Sequence, residues 1–350
     1  MSTENTTASA EAAAAQGAQG AIKERSSFRS FISKYGIFLI FLGMCALIAV
    51  VTIDNGVSIF LKYRNIVNVL RQSSVIGIIA CGVTFIIITG GIDLSSGSLV
   101  ALIGCVSAIV AREVYGLPWI LAVLVAMALG ILAGAINGTL TAKAHIPPFI
   151  ATLGMMVSAR GVGFLITGGR PVDNLSESYQ FLGQGTILNW GENFFVPIPV
   201  LIFLAVALLS HYLLSQTRFG KYTYALGGNE QAAYICGVNV DRHKIFVYAY
   251  AGFLTSIAAV VLTARVSAGQ PSAGIMYELD AIASAVIGGT SLQGGIGVIG
   301  GTVVGTLIIG VMNNGLDLMG VSSYWQQILK GLIIIGAVII DTMRHRGGKS

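Results

Sequence analysis

The sequence predicts an all-α polytopic membrane protein with about ten transmembrane helices in pseudo-symmetric halves, some of them short or broken. Three observations carry that prediction. Of 350 residues, 55% are hydrophobic and 10% charged, against roughly 25% charged in ordinary soluble domains. The mean hydropathy is +0.81, and so few charges cannot cover a water-facing surface. Glycine occurs 45 times without a collagen period, as expected where small residues let helices approach closely in lipid.

Taken in order, residues 1–34 begin with a stretch of Ala, Ser, Thr and Gln that lacks the basic n-region and cleavage pattern of a secretory signal. They read as a disordered cytoplasmic tail. Apolar runs follow at 36–53, 73–89, 97–111, 118–142, 148–168, 197–214, 245–264, 281–292, 296–312 and 325–341, within a transmembrane domain of 35–343. Runs 97–111 and 281–292 are too short to cross a core of roughly 30 Å as straight helices, which predicts discontinuous or tilted segments lining a cavity. Residues 344–350 read as a basic cytoplasmic tail.

Lys and Arg set the orientation. With the N-terminus inside, twelve fall on the cytoplasmic side and six outside, which places both termini in the cytoplasm. The sorting of basic residues by membrane side accounts for the net charge of +5 without nucleic acid as a partner. The segment 169–196 becomes the longest external loop and 215–244 a basic cytoplasmic loop.

Several enzyme signatures dissolve. Gly295–Gly300 spells GxGxxG without a βαβ context, and the terminal Gly-Lys-Ser has no helix after it to supply phosphate-binding N–H groups. Cys45, Cys81, Cys105 and Cys236 form no CxxC pair, and the four histidines are scattered. No catalytic residue, metal site or cofactor is expected.

Polar groups within or beside the apolar runs are the candidates for a translocation path. Asp93 follows Gly90-Gly91 and precedes Ser95, so this turn offers a carboxylate and hydroxyls to a pathway, or Asp93 is simply the N-cap of the next helix. Glu278 and Asp280 are first-turn caps or pathway groups. Arg160 and Lys330 lie nearer helix interiors, where a buried ion pair or snorkelling competes with a functional role. Asn137, Asn313 and Asn314 add uncharged hydrogen-bonding groups suited to a passing polyol. Gly90, Gly91, Leu94 and Gly97 recur as Gly288, Gly289, Leu292 and Gly295, an offset of 198 residues, as corresponding broken segments of a transporter do. Gly130, Gly134 and Gly138, and again Gly297, Gly301 and Gly305, form close-packing ridges within one subunit or across a dimer.

In the loop 215–244, Gly227-Gly228 permits a sharp turn, Asn229 is a good N-cap, Glu230 complements the positive helix end and Gly237 stops the helix. The expected product is one or two turns of exposed helix with a small Ala232-Ala233 face, shaped to dock into a partner's groove, the alternative being an ordinary surface loop.

Four blocks, GGIDLSSGSLVAL, YALGGNEQAAYICGVNV, YELDAIASAVIGGTSLQGG and NNGLDLMGVSSYWQQILKG, resemble the permease subunits of bacterial ABC sugar importers, the ribose-type branch above all. The resemblance covers about residues 36–343. It implies an inner-membrane permease that dimerises, binds cytoplasmic ABC ATPase subunits and receives sugar from a periplasmic binding protein. It also places Gly228, Asn229, Glu230, Ala232, Ala233 and Gly237 in a coupling helix. Ser96 stands where the family commonly has a small apolar residue. A pentose is the expected cargo, with inositol or another polyol next. An ion-coupled secondary carrier is the rival class.

Overall fold

The computed structural model describes residues 36–54, 56–190 and 194–346. The expected tail 1–34 and the terminal residues 347–350 lie outside these. The helices are α1 (Gly36–Val51), α2 (Tyr63–Ile88), α3 (Ser96–Val110), α4 (Trp119–Ala142), α5 (Pro148–Thr167), α6 (Glu177–Gln184), α7 (Ile198–Gln216), α8 (Arg218–Gly228), α9 (Glu230–Ile235), α10 (Val240–Val266), α11 (Tyr277–Ile287), α12 (Ile299–Leu318) and α13 (Ser323–Arg346). One 3-10 turn (Glu113–Tyr115) and two small antiparallel hairpins, β1 (Ile53–Asp54) with β2 (Val57–Ser58) and β3 (Thr186–Trp190) with β4 (Phe194–Pro197), complete the described elements. The chain divides into residues 1–43 and 44–350. In the first unit Phe38 and Phe41 pack ring to ring at 6.4 Å; everything below concerns the second.

Each predicted apolar run corresponds to a helix, so the protein is an all-α polytopic membrane protein. Helices α2, α4, α5, α7, α10 and α12 are long and apolar enough to cross a bilayer. The short runs behave as expected. Helix α3 has 15 residues and α11 has 11; at about 1.5 Å per residue neither reaches across roughly 30 Å. Each adjoins non-helical chain, 90–95 before α3 and 288–298 after α11. Helix α2 starts ten residues ahead of its apolar run, because its polar first turns have partners: Asn65 and Asn314 exchange amide hydrogen bonds at 2.9 Å in both directions.

Helix α2 is the axial element, buried continuously from Ser73 to Ile88. Helix α10 packs against it and against α3 and α4. A Cβ on Gly134 would lie 2.9 Å from the carbonyl carbon of Tyr248, and Gly130 and Gly252 approach each other backbone to backbone. The first glycine ridge therefore joins α4 to α10 within one subunit. In the second, Gly301 and Gly305 face α11 at Gly288 and Ser284, whereas Gly297 precedes α12 and meets the side chain of Ile88. That set is a pair plus a loop glycine rather than one helical ridge.

Helices α4 and α5 leave their outer faces uncovered. Leu124, Leu132 and Leu165 are exposed, as lipid-facing residues are. The segment that begins at 169 carries α6 and the paired strands β3 and β4. Its anchors are bridges from Leu175 to Arg112 and from Val172 to Gly269, together with the buried Tyr179, whose hydroxyl meets Ser107 Oγ at 2.7 Å.

Candidate translocation path and docking helix

The two glycine-rich blocks that echo each other in sequence touch in space. The Gly295 N–H donates to Ile88 O at 2.8 Å, and a Cβ on Gly294 would lie 3.1 Å from Gly90 N. Gly90, Gly289, Gly294 and Gly295 all have φ between +75° and +92°, backbone that residues with a Cβ rarely adopt. The chain can fold both blocks into tight turns without lipid-exposed irregular backbone because each turn lies against the other.

The first turn carries a buried polar chain. Asn137 Nδ2 on α4 donates to Ser95 Oγ at 2.9 Å, and Ser95 donates in turn to Asp93 Oδ1 through its hydroxyl at 2.6 Å and its N–H at 2.8 Å. From α5, Thr152 Oγ1 accepts the Leu94 N–H at 3.2 Å. Asp93 is not the N-cap of α3. Ser95 holds that position without a side-chain cap bond, and Asp93 closes an Asx turn two residues earlier. Asp93, Ser95 and Asn137 thus form one network, and Asn137 Oδ1 retains no hydrogen-bond partner.

The other candidates divide. Glu278 and Asp280 lie in the first turn of α11, whose N-cap, Met276, makes no side-chain cap bond. The carboxylate of Glu278 lies against Gly97 in the first turn of α3, in space that a Cβ would occupy, and so approaches the positive end of that helix. Asp280 is buried and ion-paired with Lys330 of α13 at 2.9 Å. Arg160 Nη1 donates to Pro271 O at 2.9 Å and Ala273 O at 2.6 Å, which ties α5 to the segment before α11. Asn314 is engaged by Asn65, while the buried Asn313 Oδ1 has no partner. No group of three or more metal-ligating side chains occurs among the described residues.

Helices α8 and α9 form an elbow. Asn229 Oδ1 accepts the Ala232 N–H at 2.9 Å as the N-cap of α9. At the other end Gly237, φ +85°, closes a Schellman motif: its N–H reaches Tyr234 O at 2.9 Å and the Val238 N–H reaches Ala233 O at 3.0 Å. Glu230 pairs with Lys244 of α10 at 2.8 Å. Two expectations are corrected. Ala233 does not belong to an exposed small face; it is buried with Leu226, Val238 and Val240, because the C-terminal motif folds Val238 back beneath α9. The outward face is Gln231, Ala232, Tyr234 and Ile235, with Ile235 83% exposed. Gly228 does not make the turn either. It is the last residue of α8 in open space, and the chain turns at Asn229 with φ −161°. The required glycine is Gly227, where a Cβ would lie 2.5 Å from Gly295 N and closer still to Ile88 O.

Beside this elbow a cavity of about 270 Å³ is lined by Thr89, Gly90, Gly91, Thr141, Lys244 and Tyr248 from the body and by Glu230 from the elbow. The first turn and the short helix therefore share one polar space. Sequence reasoning missed Tyr224, whose hydroxyl donates to Gly297 O at 2.6 Å; its position one helical turn before Gly227 is the signal that could have found it. Burial raises its pKa above the ordinary phenol value, so it holds the proton it donates.

A protein-family model described as branched-chain amino acid transport system / permease component matches residues 65–338. The chain belongs to this permease family. The ribose import permease protein RbsC of Escherichia coli strain K12 is 46% identical over 307 residues, covering 86% of this permease and 93% of that protein. RbsC of Haemophilus influenzae is 44% identical, with coverage of 86% and 91%. The xylose transport system permease protein XylH of Escherichia coli strain K12 is 36% identical over 368 residues, with coverage of 88% and 92%. No solved structure matches the permease. The matched region runs from the first turn of α2 into α13 and includes both glycine turns and the elbow.

Proposed function

We propose that this permease is the membrane subunit of an ATP-driven importer for a monosaccharide, a pentose in first place, with inositol or another polyol as the alternative cargo. The similarity to ribose and xylose permeases over nearly their whole length supports the cargo. The observation that carries the mechanism is the capped six-residue helix α9, which presents Tyr234 and Ile235 to solvent while Ala233 anchors it. Two adjacent exposed apolar side chains on a rigid helix form the anchor expected of a docking surface.

In this reading ATP is hydrolysed on a separate cytoplasmic ABC ATPase seated on α9, a periplasmic binding protein delivers sugar at the α6 end, and a second copy of the permease completes the assembly in the bacterial inner membrane. Both termini are cytoplasmic. Asp93, Ser95 and Asn137, with Glu278 of α11 lying against the start of α3, provide the polar route, in which the uncharged Ser95 and Asn137 suit a polyol.

Replacing both Tyr234 and Ile235 by Arg should abolish co-purification of the ATPase and ATP-dependent uptake while permease abundance stays normal, since neither side chain is part of the core. An intact complex in that variant would place the docking surface elsewhere. Ala233→Arg is a poorer probe, because it breaks the packing beneath α9.

Thiol labelling reads the orientation. In a cysteine-free background, Cys236, exposed beside α9, should resist an impermeant reagent on intact spheroplasts and react in inverted vesicles. Asp173→Cys on the opposite loop should do the reverse. Asp173 is preferable to its neighbour Asn174, whose φ of +61° suits Asn better than Cys. Swapped labelling would invert the topology.

A further inference from the structure

We propose that Tyr224 is a positioning residue through which movement of α9 reaches the paired turns 88–97 and 288–298, a role that rests on the importer reading above and extends it to a defined contact. Helix α9 is fastened at both ends: Ala233 packs with Leu226 of α8 and with Val238 and Val240 beyond it, and Glu230 is ion-paired with Lys244. A force on α9 therefore moves α8 rather than dissipating in a loose loop.

Helix α8 meets the turns at two points three residues apart. Tyr224 holds the carbonyl of Gly297 at 2.6 Å, and Gly227 is seated against Ile88 O and Gly295 N. Those last two atoms are themselves joined, by the 2.8 Å hydrogen bond that holds one turn to the other. Helix α8 thus lies across the fastening between the two broken segments. The first turn runs on into Asp93 and Ser95, and through Ser95 to Asn137. A displacement of α8 has a continuous packed and hydrogen-bonded path to the polar route, and the Tyr224 hydrogen bond is its separable link because it can be removed while the ring remains. Elsewhere α8 is secured to α10 by Thr223 and His243 at 2.9 Å, which gives the helix a pivot independent of Tyr224.

The test uses the complete importer in proteoliposomes: permease, ATPase and binding protein together. Tyr224→Phe should leave permease abundance, thermal midpoint and ATPase co-purification unchanged while sugar moved per ATP falls about fivefold, the factor one net hydrogen bond contributes to an equilibrium. Gly227→Ala, which drives a methyl group into the same fastening, should fall at least as far. Tyr222→Phe on the exposed face of α8 should match the unaltered protein. Wild-type sugar per ATP in both Tyr224→Phe and Gly227→Ala, within complexes that still need Tyr234 and Ile235 for ATPase binding, would overturn the role of Tyr224 and leave the importer reading standing. A lowered thermal midpoint with unchanged sugar per ATP would also overturn it, since that marks a purely structural bond. Failure of the unaltered permease to bind an ATPase would remove the importer reading, and the role of Tyr224 with it.

Discussion

Lys330→Met should destabilise the permease by about 3–5 kcal/mol, the cost of leaving one member of a buried ion pair without its partner. Lys330 meets Asp280 at 2.9 Å, with the carboxylate side chain only 6% exposed. Methionine supplies similar length and apolar volume but no charge. The Asp280 carboxylate would then be stranded beneath α13, a helix whose described contacts run chiefly to α11. The expected readout is a large drop in thermal midpoint of the detergent-solubilised protein and proteolysis beginning in α13. The double variant Asp280→Leu with Lys330→Met should recover most of the loss, because exchanging a whole buried pair for apolar residues is often neutral. A near-normal midpoint for Lys330→Met alone would mean that water or lipid headgroups reach the carboxylate.

Gly134→Leu should prevent the folded permease from accumulating. A Cβ at this position lies 2.9 Å from the Tyr248 carbonyl carbon and 3.0 Å from Ala249 Cα. These are backbone atoms, which cannot rotate aside as a side chain can. The α4–α10 contact is among the most extensive in the fold, and forcing the helices apart forfeits dispersion contacts along its whole length. In lipid those contacts, rather than exclusion of water, hold helices together. A cost of about 3 kcal/mol or more follows from overpacking a close-packed site. Gly161→Leu on α5 is the control: nothing lies within 4 Å of its Cβ position, so abundance should stay close to that of the unaltered chain. Equal abundance of the two variants, read by fluorescence-detected size exclusion, would refute the backbone-contact explanation.

What the sequence discloses follows from how local each interaction is. The caps of α9 were legible because Asn229 and Gly237 act on backbone groups within a few residues. Which side of α9 faces inward was not, since six residues are too few to show a period and the burial of Ala233 depends on Val238 and Val240 beyond the helix. Likewise, the glycine spacing of α4 announced close packing but not its partner, because α10 presents its own Gly252 more than a hundred residues later. The matching turns at 90–97 and 288–295 could be aligned by eye; that they touch is a property of the fold. The Asp280–Lys330 pair, 50 residues apart, left no local trace, so each charge was ambiguous alone. Asp93 lay between its two readings, as a turn former that also belongs to the buried network with Ser95 and Asn137.

The most direct measurement of the central assignment is uptake of labelled pentose into proteoliposomes containing this permease, with the ATPase and the binding protein added or withheld. Accumulation should require internal ATP, the ATPase and sugar-loaded binding protein together, and should vanish when Tyr234 and Ile235 are both changed to Arg. Accumulation by the permease alone, driven by a proton or sodium gradient, would contradict the ATP-driven importer and identify an ion-coupled carrier.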